Sequence, residues 1–373
     1  MTDFLNFLIN GLSLGAVYAL IAVGYTMVYG IIKLINFAHG EFYMFGAFAG
    51  YAVLTIGFGI GEVGGEPGLW ALLGAMLAAG LSTGLLALVV ERLCYRPLRG
   101  SGRIVALLAA VGVSLFLQSM GQKTLGADPR KFPPTVAEEH FPRTVLDLGA
   151  QKAGAIAQED LVLTYYRRDG RGRDQQFRAF LAGRGETVEA ERLQRIRELA
   201  EASSAPALLC AYGGVRVSNR QIILIVTLAA VATALYSLVQ FTRFGRAMRA
   251  VSVDCDAAQL MGVDTDRVIA GTFFIGAFVA GIGGVLAGGM YYERIDPLMG
   301  LLPGLKAFVA AVLGGIGSIP GAILGALLLG VSEKMVEAYL TSGLRDGMAF
   351  AILIAVLLVR PQGLLGTFEG EKV

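Results

Sequence analysis

Long apolar runs separated by short polar stretches dominate the chain. Eight runs carry almost no charge: Phe4–Tyr29, Phe42–Phe58, Leu69–Val90, Ile104–Met120, Ile222–Phe241, Val268–Tyr291, Leu305–Val331 and Met348–Val359. About 20 residues of helix cross the hydrocarbon core of a bilayer, and most of these runs have that length, the last one only with its flanks. The pattern predicts an all-α, polytopic membrane protein with about eight transmembrane helices.

The composition supports the same class of protein. Only 16% of the residues are charged and the mean hydropathy is +0.63, whereas soluble domains are roughly 25% charged. The 51 glycines would destabilise soluble helices but are common in membrane helices. Several fall at small-xxx-small spacing, namely Gly11/Gly15, Gly46/Gly50, Gly80/Gly84, Gly284/Gly288 and Gly321/Gly325. This spacing predicts helices whose backbones approach closely.

The basic residues indicate which loops face the cytoplasm. Among the short loops, two stand out for their arginines, Glu91–Arg103 and Phe241–Arg267, and short basic loops stay inside. Two predicted helices separate these stretches, so they share one side. The loop Gly57–Gly68, which has no Lys or Arg, and the N-terminus then lie outside, and Arg360 places the C-terminus inside. An outside start and an inside end require an odd number of crossings.

The run Leu305–Gly330 explains how eight runs can give an odd number of crossings. It contains Gly314, Gly315, Gly317, Pro320 and Gly321. These residues would break it into two shorter helices, and such breaks are tolerated only where the backbone faces protein or a water-lined path. The alternative is one kinked helix. The sequence therefore predicts eight or nine crossings, with one helix broken by Gly and Pro.

The charge pattern also divides the chain into regions. Residues 1–121 hold the first four predicted helices, and 222–373 hold the others together with a cytoplasmic loop at 242–267. Between them, 122–221 is polar and rich in both signs of charge. By parity this insertion is extracytoplasmic, and it is either a small folded cap or partly disordered. Thr187–Ala202 has the apolar spacing of an amphipathic helix.

Sequence motifs for several kinds of chemistry are missing. The chain has no G-x-x-x-x-G-K-[ST] loop to hold ATP phosphates. It has two histidines and three cysteines but no H-E-x-x-H or C-x-x-C, so no metal site of the usual spacing is expected. We therefore expect no catalytic residues, no bound cofactor and no enzyme activity in this chain. Transport, channel function and membrane scaffolding remain as the functions that this chain can have.

The cytoplasmic loop predicts a short helix that contacts a partner. Acidic residues near its start suit the positive helix end, small residues give it a slim face, apolar residues follow, and a glycine ends it. Such a helix can dock in a partner's groove, or it can lie on the bilayer surface. The candidate coupling residues are Asp254, Asp256, Ala257, Ala258, Leu260, Met261 and Gly262, with Arg246 and Arg249 as possible partners of acidic groups.

This helix also carries a family resemblance. Asp256-Ala257-Ala258-x-x-x-Gly262 resembles the EAA-x-x-x-G coupling signature of ABC transporter permeases, with Asp in place of Glu. The resemblance implies that the helix receives the force of ATP hydrolysis from a partner subunit.

Three further stretches narrow the resemblance. "NGLSLGAVYALIAVGYTMVYGIIKLINFAHGE", "LGGIGSIPGA" and "RPQGLLG" resemble the LivH-type permeases of branched-chain amino acid ABC importers. The similarity covers nearly all of Asn10–Ser119 and Ile222–Gly366 but not the middle of 122–221. It implies a multi-pass protein of the bacterial inner membrane that imports Leu, Ile or Val.

The resemblance also implies a set of partners. These are a second, LivM-like permease, two cytoplasmic ATPases that bind the ATP and Mg, and an extracytoplasmic binding protein, all working at a lipid bilayer and without nucleic acid. A permease for urea or short amides is one alternative. A secondary transporter driven by an ion gradient is another.

A polar group between the first two runs has three interpretations. In "NFAHGEFYMFG", Asn36 can cap a helix, Glu41 can complement its dipole, and Gly40 can allow close packing. The same groups can instead line the translocation path or its gate, or His39 and Glu41 can relay protons. The candidate path residues are Asn36, His39, Gly40, Glu41, Gly314, Gly315, Gly317 and Pro320.

Overall fold

Helices form most of the chain. The computed structural model describes residues 2–33, 36–59, 68–133, 136, 140–141, 144–146, 162–167, 207–212, 217–360 and 362–366. The α-helices are α1 Thr2–Ile32, α2 His39–Ala52, α3 Leu69–Val90, α4 Arg103–Leu125, α5 Asn219–Phe241, α6 Arg243–Val253, α7 Cys255–Leu260, α8 Thr265–Leu286, α9 Leu301–Gly314, α10 Ile319–Tyr339 and α11 Arg345–Val359. Three of them continue as π-helical turns, at Val53–Gly57, Glu91–Tyr95 and Ala287–Tyr291, and short 3-10 turns cover Arg96–Leu98 and Ser342–Leu344.

Six helices of the described residues are long and apolar enough to cross a membrane. They are Phe4–Ile32, Leu69–Leu98, Ile104–Leu125, Asn219–Phe241, Thr265–Tyr291 and Ile319–Tyr339. The polytopic helical class is therefore confirmed. Helices α2, α9 and α11 do not qualify, since α2 begins with polar residues and the other two have only 14 and 15 residues. The predicted count of eight or nine crossings stays a prediction.

The predicted apolar runs coincide with helices, and the run Leu305–Val331 is interrupted. Helix α9 ends at Gly314 and α10 begins at Ile319, so the kinked-helix alternative is wrong. Gly315 and Gly317 have φ of +102° and +98°, a conformation that L side chains rarely adopt. Gly315 and Gly317, both with positive φ, reverse the chain direction within the four residues between α9 and α10.

Helix α8 lies at the centre of the helical bundle and packs against α2 and α3 through small residues. A Cβ on Gly284 would collide with the backbone of Tyr43 in α2. In the same way Gly281 lies against Thr83 and Ala79 of α3. The Thr83 hydroxyl donates to the Ala277 carbonyl across this contact at 2.9 Å. Close backbone packing is what stabilises helix pairs in lipid, as the glycine spacing predicts.

Helices α1 and α10 form a second close pair. A Cβ on Gly11 would lie 2.6 Å from the Cα of Val331, and one on Gly15 would lie 2.7 Å from the Cα of Leu327. The residue numbers rise along α1 as they fall along α10, so the two helices are antiparallel. The long apolar first run is therefore a core helix of this bundle.

The chain divides into two compact units. One comprises Met1–Asn6 and Glu138–Asn219, and the other comprises Phe7–Ala137 and Arg220–Val373. The first contains short antiparallel strands that the all-α prediction missed: β2 His140–Phe141 pairs with β6 Val217–Ser218, and β5 Ala207–Tyr212 lies between β3 Thr144–Leu146 and β4 Val162–Arg167. In the second, β1 Arg130–Lys131 pairs with β7 Arg294–Ile295. The predicted helix at Thr187–Ala202 lies outside the described residues.

Candidate functional site

Three side-chain caps fix the corners of the basic loop between α5 and α8. The Thr242 hydroxyl accepts from the Gly245 amide at 3.0 Å and begins α6. The Asp254 carboxylate accepts from the Ala257 amide at 2.9 Å and begins α7. The Asp264 carboxylate accepts from the Arg267 amide at 3.1 Å and begins α8. Such caps each contribute about 0.5–2 kcal/mol, so this loop is a rigid chain of short helices.

Gly262 ends α7, as the sequence predicts. Its φ is +85°. The Val263 amide donates to the Ala258 carbonyl and the Gly262 amide to the Gln259 carbonyl, both at 3.0 Å. This pair of bonds is the Schellman arrangement, which needs a residue with positive φ and therefore favours glycine.

The short helix exposes an apolar tip. Leu260 is 89% exposed and Met261 85% exposed, and Val253 at the preceding corner is exposed as well. Ala258 is only 5% exposed, so the idea that both alanines form the face that enters a partner's groove is wrong for Ala258. It packs against its own chain because its position on α7 faces the bundle, while Ala257 stays exposed.

The two arginines of α6 have different surroundings. Arg246 is exposed and is free to meet an acidic partner. Arg249 is half-buried and its guanidinium donates to the carbonyls of Val239 and Gln240 at the end of α5. It therefore satisfies carbonyls that have no partner within their own helix. The pairing of Arg249 with another subunit stays a prediction.

A charged clamp ties the start of α8 to the end of α3. Arg96 and Arg99 both pair with Asp266, and Arg99 also pairs with Glu91. The Glu91 side chain is almost fully buried, and Arg99 is its ion-pair partner. Sequence reasoning missed this clamp because its partners are separated by about 170 positions. It links the loop of α6 and α7 to the core of the bundle.

The polar group at the start of α2 is buried in the bundle. Asn36, His39 and Glu41 are each at most 3% exposed. The side-chain oxygen Oδ1 of Asn36 accepts hydrogen bonds from the Tyr95 hydroxyl at 2.6 Å and from the Ala38 amide at 3.1 Å. The predicted N-cap role of Asn36 is wrong, because the cap position is Ala38. Asn36 instead closes a turn before the helix and joins it to the end of α3.

Glu41 and His39 make few polar contacts. One Glu41 oxygen accepts from the Ser114 hydroxyl at 3.2 Å. The His39 ring lies 4.7 Å from the Tyr25 ring and fills the space that Gly24 leaves. Among the described residues, several buried polar atoms of this region lack a hydrogen-bond partner: Thr26 Oγ1, Asn36 Nδ2, His39 Nε2, Glu41 Oε2 and Tyr43 Oη. Unpaired buried polar atoms are costly, which favours a functional role for this group.

Helices α2 and α9 begin at the same place. A Cβ on Gly304 would lie 2.9 Å from the Cα of Gly40, and Gly300 also contacts Gly40. His39 beside them lies against Gly276, near the middle of α8. Two helices thus start within the bundle, with their positive ends together. Gly40 is required there for close approach.

The glycine turn after α9 contacts the C-terminal segment. The amides of Leu364 and Leu365 donate to the carbonyls of Leu313 and Gly314, both at 2.9 Å. Ser318 caps α10 by accepting from the Gly321 amide at 3.2 Å, and Pro320 occupies its first turn. The motifs "LGGIGSIPGA" and "RPQGLLG" therefore form one structural feature, with the second capping the first.

An ion network inside the bundle also escaped sequence reasoning. The Lys306 ammonium of α9 donates to Glu333 at 2.9 Å and to Asp346 at 2.7 Å, and Tyr18 donates to Glu333 at 3.2 Å. The sequence signal that could have revealed the network was Lys306, a single lysine in an apolar run. Ionisable residues within membrane helices usually mark functional sites.

The sequence pattern of a nucleophile elbow occurs inside helices of this chain. Gly11–Gly15 and Gly80–Gly84 have the form G-x-S-x-G, but they lie within α1 and α3 instead of at a strand-to-helix turn. The Ser13 hydroxyl donates to the Ile9 carbonyl of its own helix at 2.9 Å. In the part of the chain that the structure describes, no group of three or more His, Cys, Asp or Glu can hold a metal ion.

The membrane-length helices and the helices that begin inside the bundle define a polytopic helical membrane protein. Residues 7–357 match the model of the family described as branched-chain amino acid transport system / permease component. The chain belongs to this family of permease components.

Relatives match over nearly the whole chain. It is 38% identical over 371 residues to the high-affinity branched-chain amino acid transport system permease protein LivH of Escherichia coli, covering 99% of this chain and 98% of the relative. It is 37% identical with the same coverage to the corresponding protein BraD of Pseudomonas aeruginosa. A probable branched-chain permease LivH of Methanocaldococcus jannaschii is 33% identical over 139 residues, 35% of this chain and 44% of the relative. No solved structure gives a significant match.

Proposed function

We propose that this chain is the membrane-spanning permease subunit of an ABC importer that carries leucine, isoleucine and valine across the bacterial inner membrane. The full-length similarity to permeases of branched-chain amino acid transport carries this proposal. The chain supplies the membrane path. A second permease, two ATPases that bind ATP and Mg, and an extracytoplasmic binding protein complete the importer.

Nine crossings give a consistent path for the chain. The segment from the end of α1 to the end of α2 crosses once although α2 starts inside the bundle. The segment from the end of α8 to the end of α9 does the same, and both are supported by the contact between Gly40 and Gly304. With α1, α3, α4, α5, α8, α10 and α11 these two segments make nine crossings, so the chain starts outside and ends inside. It places 122–221 on the extracytoplasmic side and the basic loop 242–267 in the cytoplasm.

Energy coupling takes place at the tip of α7. Leu260 and Met261 are almost fully exposed on a helix whose two ends are capped. An exposed apolar tip on a rigid support suits a groove in an ATPase. Force on α7 reaches α8 through Asp264 and reaches α3 through the clamp of Asp266 with Arg99. The alternative interpretation, in which α7 only lies on the bilayer surface, does not require this clamp.

The substrate path passes the starts of α2 and α9. The buried group with Asn36, His39 and Glu41 and the glycine turn at Gly314–Gly317 lie at the inner and cytoplasmic parts of that path. Their unpaired polar atoms and the positive φ angles support a gate there. In the alternative interpretation His39 and Glu41 relay protons, and transport then requires no ATPase partner.

Copurification tests the proposed function. The chain, extracted from native membranes in mild detergent, is expected to bring two ATPase subunits and a second permease with it. A chain that purifies alone and transports under a proton gradient would support the secondary transporter. A complex that takes up urea but no leucine would retain the ABC mechanism and change the substrate.

A further inference from the structure

A recess with a volume of about 270 Å³ opens beside α9 and is distinct from the α7 corner and the Asn36 group. Pockets for drug-sized ligands measure about 300–1,000 Å³, and this recess, slightly smaller, has room for a ligand of smaller size. Its polar wall includes Lys306, Arg345 and Asp346, and its apolar wall includes Leu298, Leu302 and Pro303. The start of α11 and the first turn of α9 thus face each other across it.

The charges of the recess cancel. Its cations are Arg294, Lys306 and Arg345, and its anions are Asp296, Asp346 and the Glu333 that binds Lys306. A balanced site with separated charges of both signs favours a ligand that is itself a zwitterion. A site for a simple anion or cation would carry an excess of the opposite charge.

Lys306 is buried between its two carboxylate partners, whereas Arg345 and Asp346 are partly exposed and face the recess, so a ligand can reach them. The Lys306 side chain is 3% exposed and donates to both Glu333 and Asp346. Arg345 is only half-buried, and its nearest carboxylate oxygens are 3.5–3.9 Å away. Its Nε has no hydrogen-bond partner among the described residues. A guanidinium with unused donors binds carboxylates well.

The apolar wall matches an aliphatic side chain. Leu298 is 51% exposed and Leu302 49% exposed at the recess, and neither has a polar side-chain group that would need a partner. A ligand with one charged end and one branched aliphatic end would satisfy both walls. Burying a Leu or Val side chain contributes about 1.5–3 kcal/mol.

We propose that this recess is a binding site for the transported amino acid, with its carboxylate on Arg345, its ammonium on Asp346 and its side chain on Leu298 and Leu302. This inference rests on the proposed function, which supplies the substrate class and places the start of α11 at the extracytoplasmic end. The recess receives the amino acid there after the binding protein releases it. Lys306 is a positioning residue that holds Asp346.

Protection of an introduced cysteine tests the site without the binding protein. In the assembled complex, Leu302→Cys is treated with a membrane-impermeant thiol reagent, and the parent chain is treated in parallel to subtract its native cysteines. L-leucine is expected to slow the modification about tenfold at about ten times its Kd. Leucinamide, which lacks the carboxylate, and 4-methylpentanoate, which lacks the ammonium, are expected to protect little. Leu340→Cys, exposed outside the recess, is the control that leucine does not protect.

A second set of variants separates binding from structure. Arg345→Gln and Asp346→Asn in the Leu302→Cys chain are expected to abolish protection by leucine, and Arg345→Lys to retain part of it. Arg267→Gln removes an exposed ion pair with Asp264 outside the recess and is expected to leave protection intact. If Leu302→Cys is not inserted in the membrane, Leu298→Cys takes its place.

The outcomes distinguish this inference from the proposed function. A parent complex that imports no branched-chain amino acid overturns the proposed function. A complex that imports leucine while leucine fails to protect the recess overturns the inference alone. Equal protection by leucine, leucinamide and 4-methylpentanoate also overturns it, since apolar contact alone would then hold the ligand.

Discussion

At the residue scale, the tip of α7 is the most exposed apolar feature of the basic loop. Leu260→Glu is expected to abolish coupled uptake while the chain still reaches the membrane. An apolar side chain buried on docking contributes about 1.5–3 kcal/mol, and about 1.4 kcal/mol is a tenfold change in affinity. The measurement is substrate-stimulated ATP hydrolysis together with leucine uptake. Gln259→Glu adds the same charge to a neighbouring exposed position and serves as the control. Equal loss in both variants would show that charge, and not the apolar contact, matters.

The clamp at Arg99 gives a second residue-scale prediction. Arg99→Gln leaves the buried Glu91 carboxylate without its partner and is expected to lower stability by about 1.5–3 kcal/mol, the range for a hydrogen bond to a charged group. It is also expected to reduce transport per ATP hydrolysed, because α8 loses one of its two links to the end of α3 and keeps only the pair of Arg96 with Asp266. The melting temperature of the purified complex and the coupling ratio measure these effects. Arg267→Gln, whose exposed pair with Asp264 contributes about 0–1 kcal/mol, should resemble the parent. A wild-type coupling ratio in Arg99→Gln would exclude Arg99 from force transfer.

Interactions between residues close in sequence could be predicted, and pairs between residues of separate helices could not. Asp254 and Gly262 were expected at the two ends of α7, because capping depends on neighbouring residues. The target of Arg249 and the pairs of Asp266 and Lys306 depend on how separate helices pack. Burial of Ala258 depends on the same packing, so the sequence assigned it to the wrong face.

At the element scale, the turn between α9 and α10 requires glycine for two different reasons. Alanine at positive φ costs about 1–2 kcal/mol, and this applies to Gly315 and Gly317 alike. A Cβ on Gly315 would also collide with the backbone at Gly366, whereas one on Gly317 would meet nothing within 4 Å. Gly315→Ala is therefore expected to lower the melting temperature and leucine uptake more than Gly317→Ala. Equal effects would show that the C-terminal segment does not hold this turn.

The bounds of most helices followed from the apolar runs, because a run of that length has no other stable form in lipid. The start of α2 inside the bundle did not follow, since it depends on Gly40 meeting Gly300 and Gly304. The short strands between 140 and 218 were also missed, because their pairs are two to six residues long and carry little alternation. Nothing in the sequence of the C-terminal segment indicated that its amides cap the end of α9.

At the scale of the whole molecule, topology is the first expectation to test. Cys210 is expected to react with a membrane-impermeant thiol reagent in intact spheroplasts, while Cys94 and Cys255 remain unmodified. The reason is the cytoplasmic position of the basic loops, and mass spectrometry of the labelled chain is the measurement. Permeabilised cells provide the control, in which the exposed Cys255 should react. Labelling of Cys255 but not Cys210 in intact cells would invert the whole topology.

The arrangement of the helices was beyond sequence reasoning. Within its membrane-length segment α8 is 72% buried, whereas α5 is 17% buried, yet both are strongly apolar. Lipid and protein interiors are both apolar, so hydropathy does not tell a central helix from a peripheral one. The glycine pairs were the usable signal, because small residues mark close contacts.

The central claim is that this chain forms the path of an ATP-driven importer of branched-chain amino acids. The most direct measurement is uptake of labelled L-leucine into proteoliposomes that hold the purified complex, with binding protein outside and ATP inside. Uptake is expected to require both ATP and the binding protein, to be inhibited by isoleucine and valine, and to be insensitive to urea and to collapse of the proton gradient. Uptake that continues without ATP and stops when the proton gradient collapses would contradict the account.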